Sequence, residues 1–332
     1  MVEVSPRTAE RAAVPPPVVI DPECAAALAL AGSTAACTVT ADLVPALRVV
    51  LAEEAPALED LLLDGAFVAN EVTAPGPAGP VTLLVLRPVE ATLKMPALYF
   101  IHGGGMMMGT PRSGLVPILG LTGALGMAVV SVDYRLAPEN PDPAPVEDCF
   151  AGLVWTAAHG PDFGIDADRL VVAGPSAGGG LAAGVALLAR DRGGPALAGQ
   201  MLMCPMLDDR DDTVSAVQMD GHGVWDRTSN RTGWTALLGD RRAGPDVSPY
   251  AAPARATDHS GLPAAYLDVG SAETFRDETI TYAGAIWRSG GDAELHVWPG
   301  AFHRHDVFAH DSRLGRTMWA ARENWLRRLI SV

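Results

Sequence analysis

The stretch Gly174-Pro175-Ser176-Ala177-Gly178-Gly179-Gly180 decides how this chain is read. It follows RLVVAG (169–174), a short apolar run of strand character, and leads into GGLAAGVALLAR (179–190), which has helical composition. Ser176 therefore falls on a strand-to-helix turn, the place where a Gly-x-Ser-x-Gly pattern exposes a serine hydroxyl as a nucleophile. In a chain with 35 glycines the pattern alone is weak, and its position between strand and helix is what gives it weight. Small neighbours have a physical role there: the serine backbone is strained, and the helix must pass close to the strand.

Outward from this turn, brief β-rich runs alternate with longer helical patterns from about residue 81 onward. VTLLVLRP (81–88), PALYFI (96–101), MAVVSVDYR (127–135), GQMLMCPML (199–207), PAAYLDVG (263–270) and AELHVWPG (293–300) are the strand candidates. Strands separated by helix-length connections indicate crossover units and a mostly parallel sheet with helices on both faces, an α/β fold. Ahead of it, ADLVPALRVVLAEEAPALEDLLL (41–63) has helical spacing interrupted at Pro45 and Pro56, so short N-terminal helices are expected. APGPAGP (74–80) reads as punctuation. Residues 208–257, rich in turn formers, acids and tryptophans, read as an insertion over one end of the sheet. The expected organisation is an N-terminal helical segment (1–70), a first core part (71–207), the insertion (208–257) and a second core part (258–332).

A net charge of −15 without a basic run argues against nucleic acid or an anionic membrane surface as partner. The N-terminus, MVEVSPRTAERAAVPPP, lacks the basic start and apolar run of a signal peptide, and AAALALAG (25–32) is too short to span a bilayer. A soluble, cytoplasmic protein is expected. Cys24, Cys37, Cys149 and Cys204 show no metal-ligand spacing, so free thiols and no metal or cofactor are expected.

A serine hydroxyl needs a base, and the base needs an orienting group. His303, in the loop GAFHRHD after the last strand, is the best-placed base; His305 is its rival, and His296 lies within the strand. Glu273, first acid after PAAYLDVG, is the preferred orienter, with Asp277 and Asp208 as alternatives; Asp277 also suits a helix N-terminus. His102-Gly103-Gly104-Gly105 follows a strand, so the amides of Gly103 and Gly104, with that of Ala177, are candidate oxyanion donors. Met106, Met107 and Met108 suggest an adaptable apolar wall, roofed by Trp225 and Trp234.

With these motifs in this order, the chain resembles the hormone-sensitive-lipase-like carboxylesterases of the α/β-hydrolase fold over roughly residues 80–310. VSVDYRLAPENPDPAPVEDC (130–149), CPMLDDR (204–210), VGSAETFRDE (269–278) and HVWPGAFH (296–303) carry the resemblance beyond the HGGG and Gly-x-Ser-x-Gly motifs. It implies a Ser176–His303–Glu273 triad, an oxyanion segment at 102–105, and a cap built from the N-terminal helices and the insertion. It also favours a homodimer or larger homo-oligomer. Two departures stand out: Pro175 replaces the usual Asp, and Arg304-His305 replace the usual Gly-Phe. The expected activity is cofactor-independent hydrolysis of uncharged esters or lactones, a bulky macrocyclic lactone such as zearalenone among them. An amidase or deacetylase on the same machinery, or a non-catalytic ligand-binding homologue, are the alternatives.

Overall fold

The computed structural model describes residues 14–31, 38–90 and 94–331. Cys37 lies outside them. Among the described residues eight strands form one sheet: β1 (Phe67–Gly76), β2 (Gly79–Pro88), β3 (Met95–Ile101), β4 (Ala128–Asp133), β5 (Ile165–Pro175), β6 (Gly199–Met203), β7 (Ala264–Gly270) and β8 (Ala293–Trp298). Their order is β1-β2-β4-β3-β5-β6-β7-β8, parallel from β4 to β8 and antiparallel at β1/β2 and β2/β4.

β3 and β6 are buried at every residue, as central parallel strands covered on both faces must be. Alternate side chains of β3 enter different cores. Ala97, Tyr99 and Ile101 join the layer under α5 (Ala144–His159), α6 (Ala177–Asp191) and α9 (Arg276–Arg288). Leu98 and Phe100 join the layer under α4 (Leu115–Gly123) and α11 (Arg313–Ile330). The C-terminal helix α11 thus packs on the sheet, with Trp325 against Tyr266 of β7.

Strand β1 was not expected. It lies at a sheet edge with only Phe67 and Ala74 buried, so no continuous apolar run announces it. The 74–80 stretch is its hairpin, with Pro75 opposite Pro80 and Gly76 opposite Gly79; prolines are tolerated on an edge strand. A boundary at residue 70 would cut β1, so the break between helical segment and sheet lies before Phe67.

Before β1 come α1 (Pro22–Ala31), α2 (Val44–Glu53) and α3 (Leu58–Leu61). Pro45 starts α2 instead of breaking it, because the first turn has no use for its missing N–H. Arg48 ties α2 down, donating to the Met107 and Ala137 carbonyls at 2.7 Å and pairing with Glu139. The β6-to-β7 connection holds α7 (Val214–Gln218) and α8 (Arg227–Leu238). Asp226 caps α8 through the Ser229 amide at 2.8 Å, and Ser229 Oγ accepts from the Val39 amide, stitching α8 to the chain before α2. No helix among the described residues is long and apolar enough to cross a membrane.

Candidate active site

Ser176 sits between β5 and α6 at φ +57°, ψ −124°, a conformation disfavoured for a side-chain-bearing residue. Backbone bonds hold it there. Its amide donates to the Met203 carbonyl at 2.8 Å, and its carbonyl accepts from the Met206 and Gly180 amides at 3.0 Å. The flanking glycines are obligatory: a Cβ on Gly178 would lie 2.0 Å from the Ile101 carbonyl oxygen, and one on Gly174 would lie 2.4 Å from the Gly178 carbonyl carbon.

From Ser176 a relay of side chains runs inward. His303 Nε2 lies 3.1 Å from Ser176 Oγ, and His303 Nδ1 lies 3.2 Å from Glu273 Oε1. Glu273 Oε2 accepts from the Gly270 amide at 3.1 Å, so the carboxylate is anchored to the end of β7. All three residues are buried, at 5%, 4% and 1% exposure, which strengthens each electrostatic contact. The Phe275 ring meets His303 edge-on with centroids 5.2 Å apart.

The alternatives lie elsewhere. Asp277, in the first turn of α9, accepts from the Ser215 amide and pairs with Arg276; Asp208 is held by Arg210. His305 opens the short helix α10 (His305–Phe308) and faces the interior, where burial pushes its pKa down. His296 bonds Glu294 and stacks on Trp298.

The loop after β3 brings Gly103 and Gly104 against the serine; a Cβ on Gly103 would sit 3.6 Å from that of Ser176. Ala177 is the first residue of α6, whose amide has no intrahelical acceptor. His102 shapes this loop. Burial lowers its pKa to about 4, so the ring is neutral and Nδ1–H donates to the Gly103 carbonyl at 2.8 Å. The ring stacks on Tyr134 at 4.2 Å, and the Tyr134 hydroxyl donates to the His102 carbonyl.

A cleft of about 310 Å³ opens above Ser176 and His303, lined by apolar side chains of α2 (Leu47, Val50, Leu51) together with Met108, Trp225 and Phe308. Of the three methionines only Met108 reaches it. Met106, 1% exposed, packs in the core at φ +60°, and its carbonyl accepts from the Ala137 amide; Met107 lines a neighbouring cavity beside Arg48. Trp225 covers Gly105, where a Cβ would meet its ring at 2.5 Å, whereas Trp234, on α8 itself, is fully buried and does not line the cleft. Arg304 and Glu54 are the charged residues of the cleft wall.

Three residues that no motif announced complete the site's support. Arg322 on α11, 1% exposed, forks onto Asp268 of β7 at 2.8 and 3.0 Å and reaches Asp306 of α10 at 3.1 Å. Asp306 in turn accepts from Arg304 Nε at 3.0 Å. Burial pushes the Asp306 carboxyl up, but Arg304 and Arg322 outweigh it and hold it well below the usual carboxylate range. Arg322 sits in the buried stripe Gly315, Met318, Arg322, Trp325; the one sequence signal was a cation at an apolar position of an amphipathic helix.

A family model described as alpha/beta hydrolase fold matches residues 98–306. Esterase LipI of Mycobacterium tuberculosis is 35% identical over 236 residues, covering 67% of this chain and 69% of that protein. The chain belongs to the hormone-sensitive-lipase-like carboxylesterases of the α/β-hydrolase fold. Among solved structures, a bacterial heroin esterase superposes with a TM-score of 0.86 at 37% identity, covering 94% of this chain and 98% of that one. Esterase LipW from Mycobacterium marinum gives 0.84 at 30% identity, over 96% and 99%. Carboxylic ester hydrolase LipN of M. tuberculosis is 36% identical, over 70% of this chain and 63% of its own length.

Proposed function

We propose that this carboxylesterase hydrolyses compact, uncharged esters through an acyl-enzyme on Ser176. The observation that carries the reading is the unbroken relay from the Ser176 hydroxyl through His303 to Glu273, opening on an apolar cleft. As Ser176 Oγ attacks the ester carbonyl carbon, His303 Nε2 takes its proton, and Glu273 stabilises the imidazolium by accepting from Nδ1–H. The developing oxyanion takes hydrogen bonds from the amides of Gly103, Gly104 and Ala177, each worth about 3 kcal/mol at the transition state. The Nε2 proton passes to the departing alcohol oxygen as the C–O bond breaks. Water, deprotonated by His303, then attacks the acyl-serine and frees the acid.

The cleft volume lies at the small end of ligand pockets and favours a modest acyl group and alcohol. In this reading α2 and the β6-to-β7 segment form the cap, since both supply lining residues. The test is acid release by pH-stat from short and long linear esters, small lactones, the macrocyclic lactone zearalenone and matched amides, with Ser176→Ala alongside. Short esters turned over fastest, and nothing turned over by Ser176→Ala, is the expected result. Faster opening of lactones would make Trp225 and Met108 determinants of a lactonase, and faster cleavage of amides would reassign the enzyme as an amidase.

A further inference from the structure

Beneath the relay lies a group that the proposed reaction does not use. Cys204 follows β6 at φ +38°, and its amide donates to the Asp268 carbonyl at 2.7 Å. This places its thiol beside the histidine and the acid: one ligand atom each from Cys204, Glu273 and His303 lie within 4.8 Å of one another. All three residues are buried, and among the described residues no other such group of possible metal ligands occurs.

The geometry points to an inhibitory site for a borderline-soft divalent cation, of which Zn²⁺ is the type, formed by Cys204 Sγ, Glu273 Oε1 and His303 Nδ1. Thiolate, imidazole and carboxylate are the ligand types Zn²⁺ selects, whereas Mg²⁺ and Ca²⁺ prefer six or more oxygens. Tetrahedral bonds of roughly 2.0–2.3 Å put ligand atoms about 3.3–3.8 Å apart; His303 Nδ1 and Glu273 Oε1 already stand 3.2 Å apart, so it is Cys204 Sγ that closes on them, from within 4.8 Å. Water takes the fourth position. Nδ1 is the nitrogen on this side because Nε2 faces Ser176. Glu273 Oε2 keeps its bond from the Gly270 amide, which orients the carboxylate as an outer partner does in metal sites.

The inhibition rests on the proposed roles of Ser176 and His303. The thiol releases its proton to solvent as the S–metal bond forms. The neutral ring loses its proton at Nδ1 and regains one at Nε2, so one proton leaves per ion bound. A ring protonated at Nε2 is a donor there and cannot accept the Ser176 proton. Burial pushes the Cys204 thiol well above its ordinary value, so without metal it is a neutral neighbour of the relay.

The test titrates purified enzyme with ZnCl2, and separately with MgCl2, during hydrolysis of a short ester. Zn²⁺ inhibition reversed by EDTA, no effect of Mg²⁺, and at least about a tenfold weaker Zn²⁺ effect in Cys204→Ser are expected. Cys204→Ser should retain its basal turnover, which also reports that it is folded. Independently of turnover, CoCl2 added to wild type and to Ser176→Ala should produce a thiolate-to-cobalt charge-transfer absorption that Cys204→Ser lacks. Zn²⁺ inhibition undiminished in Cys204→Ser, or no cobalt–thiolate band in the wild type, overturns the proposal. A cobalt band in a chain without any esterase activity would leave this site standing and remove the proposed function instead.

Discussion

At the turn between β5 and α6, Ser176 is positioned by main chain: three backbone hydrogen bonds and glycines so close to carbonyls that no Cβ fits. Across the cleft, His303 belongs to a loop positioned by charge, with Arg304 and Arg322 gripping Asp306 and Asp268 in a buried network. The two halves meet over 3.1 Å. Steric positioning leaves a local sequence pattern, whereas a charge network joins residues 268, 304, 306 and 322, which share no pattern. The halves should therefore fail in different ways.

The largest effect is expected at the backbone-held half. Gly178→Ala drives a Cβ into two carbonyls, at 2.0 and 2.6 Å, and should cost on the order of 4 kcal/mol or prevent folding. Gly120→Ala, in α4 with no atom within 4 Å of the new Cβ, should instead stabilise by about 0.4–1 kcal/mol. Denaturant melts of both variants check the pair.

That contrast also explains what could be read in advance. The elbow, the HGGG loop and the central strands show in the chain because glycine placement and continuous apolar runs are local consequences of tight approach and two-sided burial. β1 did not show, because an edge strand with one wet face has neither. Glu273 and His303 could be placed on the loops after β7 and β8, with Glu273 preferred, but which of Glu273, Asp277 and Asp208 meets the imidazole depends on the partners that hold the other two. Of the methionine run, spacing said nothing about which side chain would reach the cleft: Met108 lines it, Met107 lines a neighbouring cavity and Met106 is core.

Next in size is the junction of the halves. Glu273→Gln keeps the shape but offers Nδ1 the wrong partner, and kcat should fall by ~10³–10⁴-fold with little change in KM. Steady-state kinetics on a short ester measure this.

In the charge-held half, Arg322→Met leaves Asp268 and Asp306 buried without their shared cation and should cost about 3–5 kcal/mol. Replacing all three together, as Arg322→Met with Asp268→Asn and Asp306→Asn, should recover much of that stability. If the histidine loop needs the network for its position, kcat stays low in the recovered triple variant.

Smallest, and a direct comparison of the halves, is the response to acid. His102 is neutral when folded, with a pKa near 4, but in the unfolded chain it takes up a proton below about 6.5. Its contribution of about 3 kcal/mol is present above pH 6.5 and lost as pH falls toward 4. Asp306, held well below the usual range, keeps its contribution until pH falls further. Denaturant melts should show stability falling from about pH 6.5 toward 4 while Asp306 still holds, and His102→Gln should reduce that slope, the remainder belonging to groups such as His305, whose pKa burial also lowers.

The central claim is that the relay makes Ser176 a nucleophile. Rapid quench of the enzyme with an activated short ester, followed by peptide mass spectrometry, tests it directly. The account predicts an acyl mass on the peptide containing Ser176, formed within the first turnover and absent from Ser176→Ala, whose turnover drops to ~10⁻³ of wild type or less. Full turnover with no acyl group on that peptide, or substantial activity in Ser176→Ala, would contradict it.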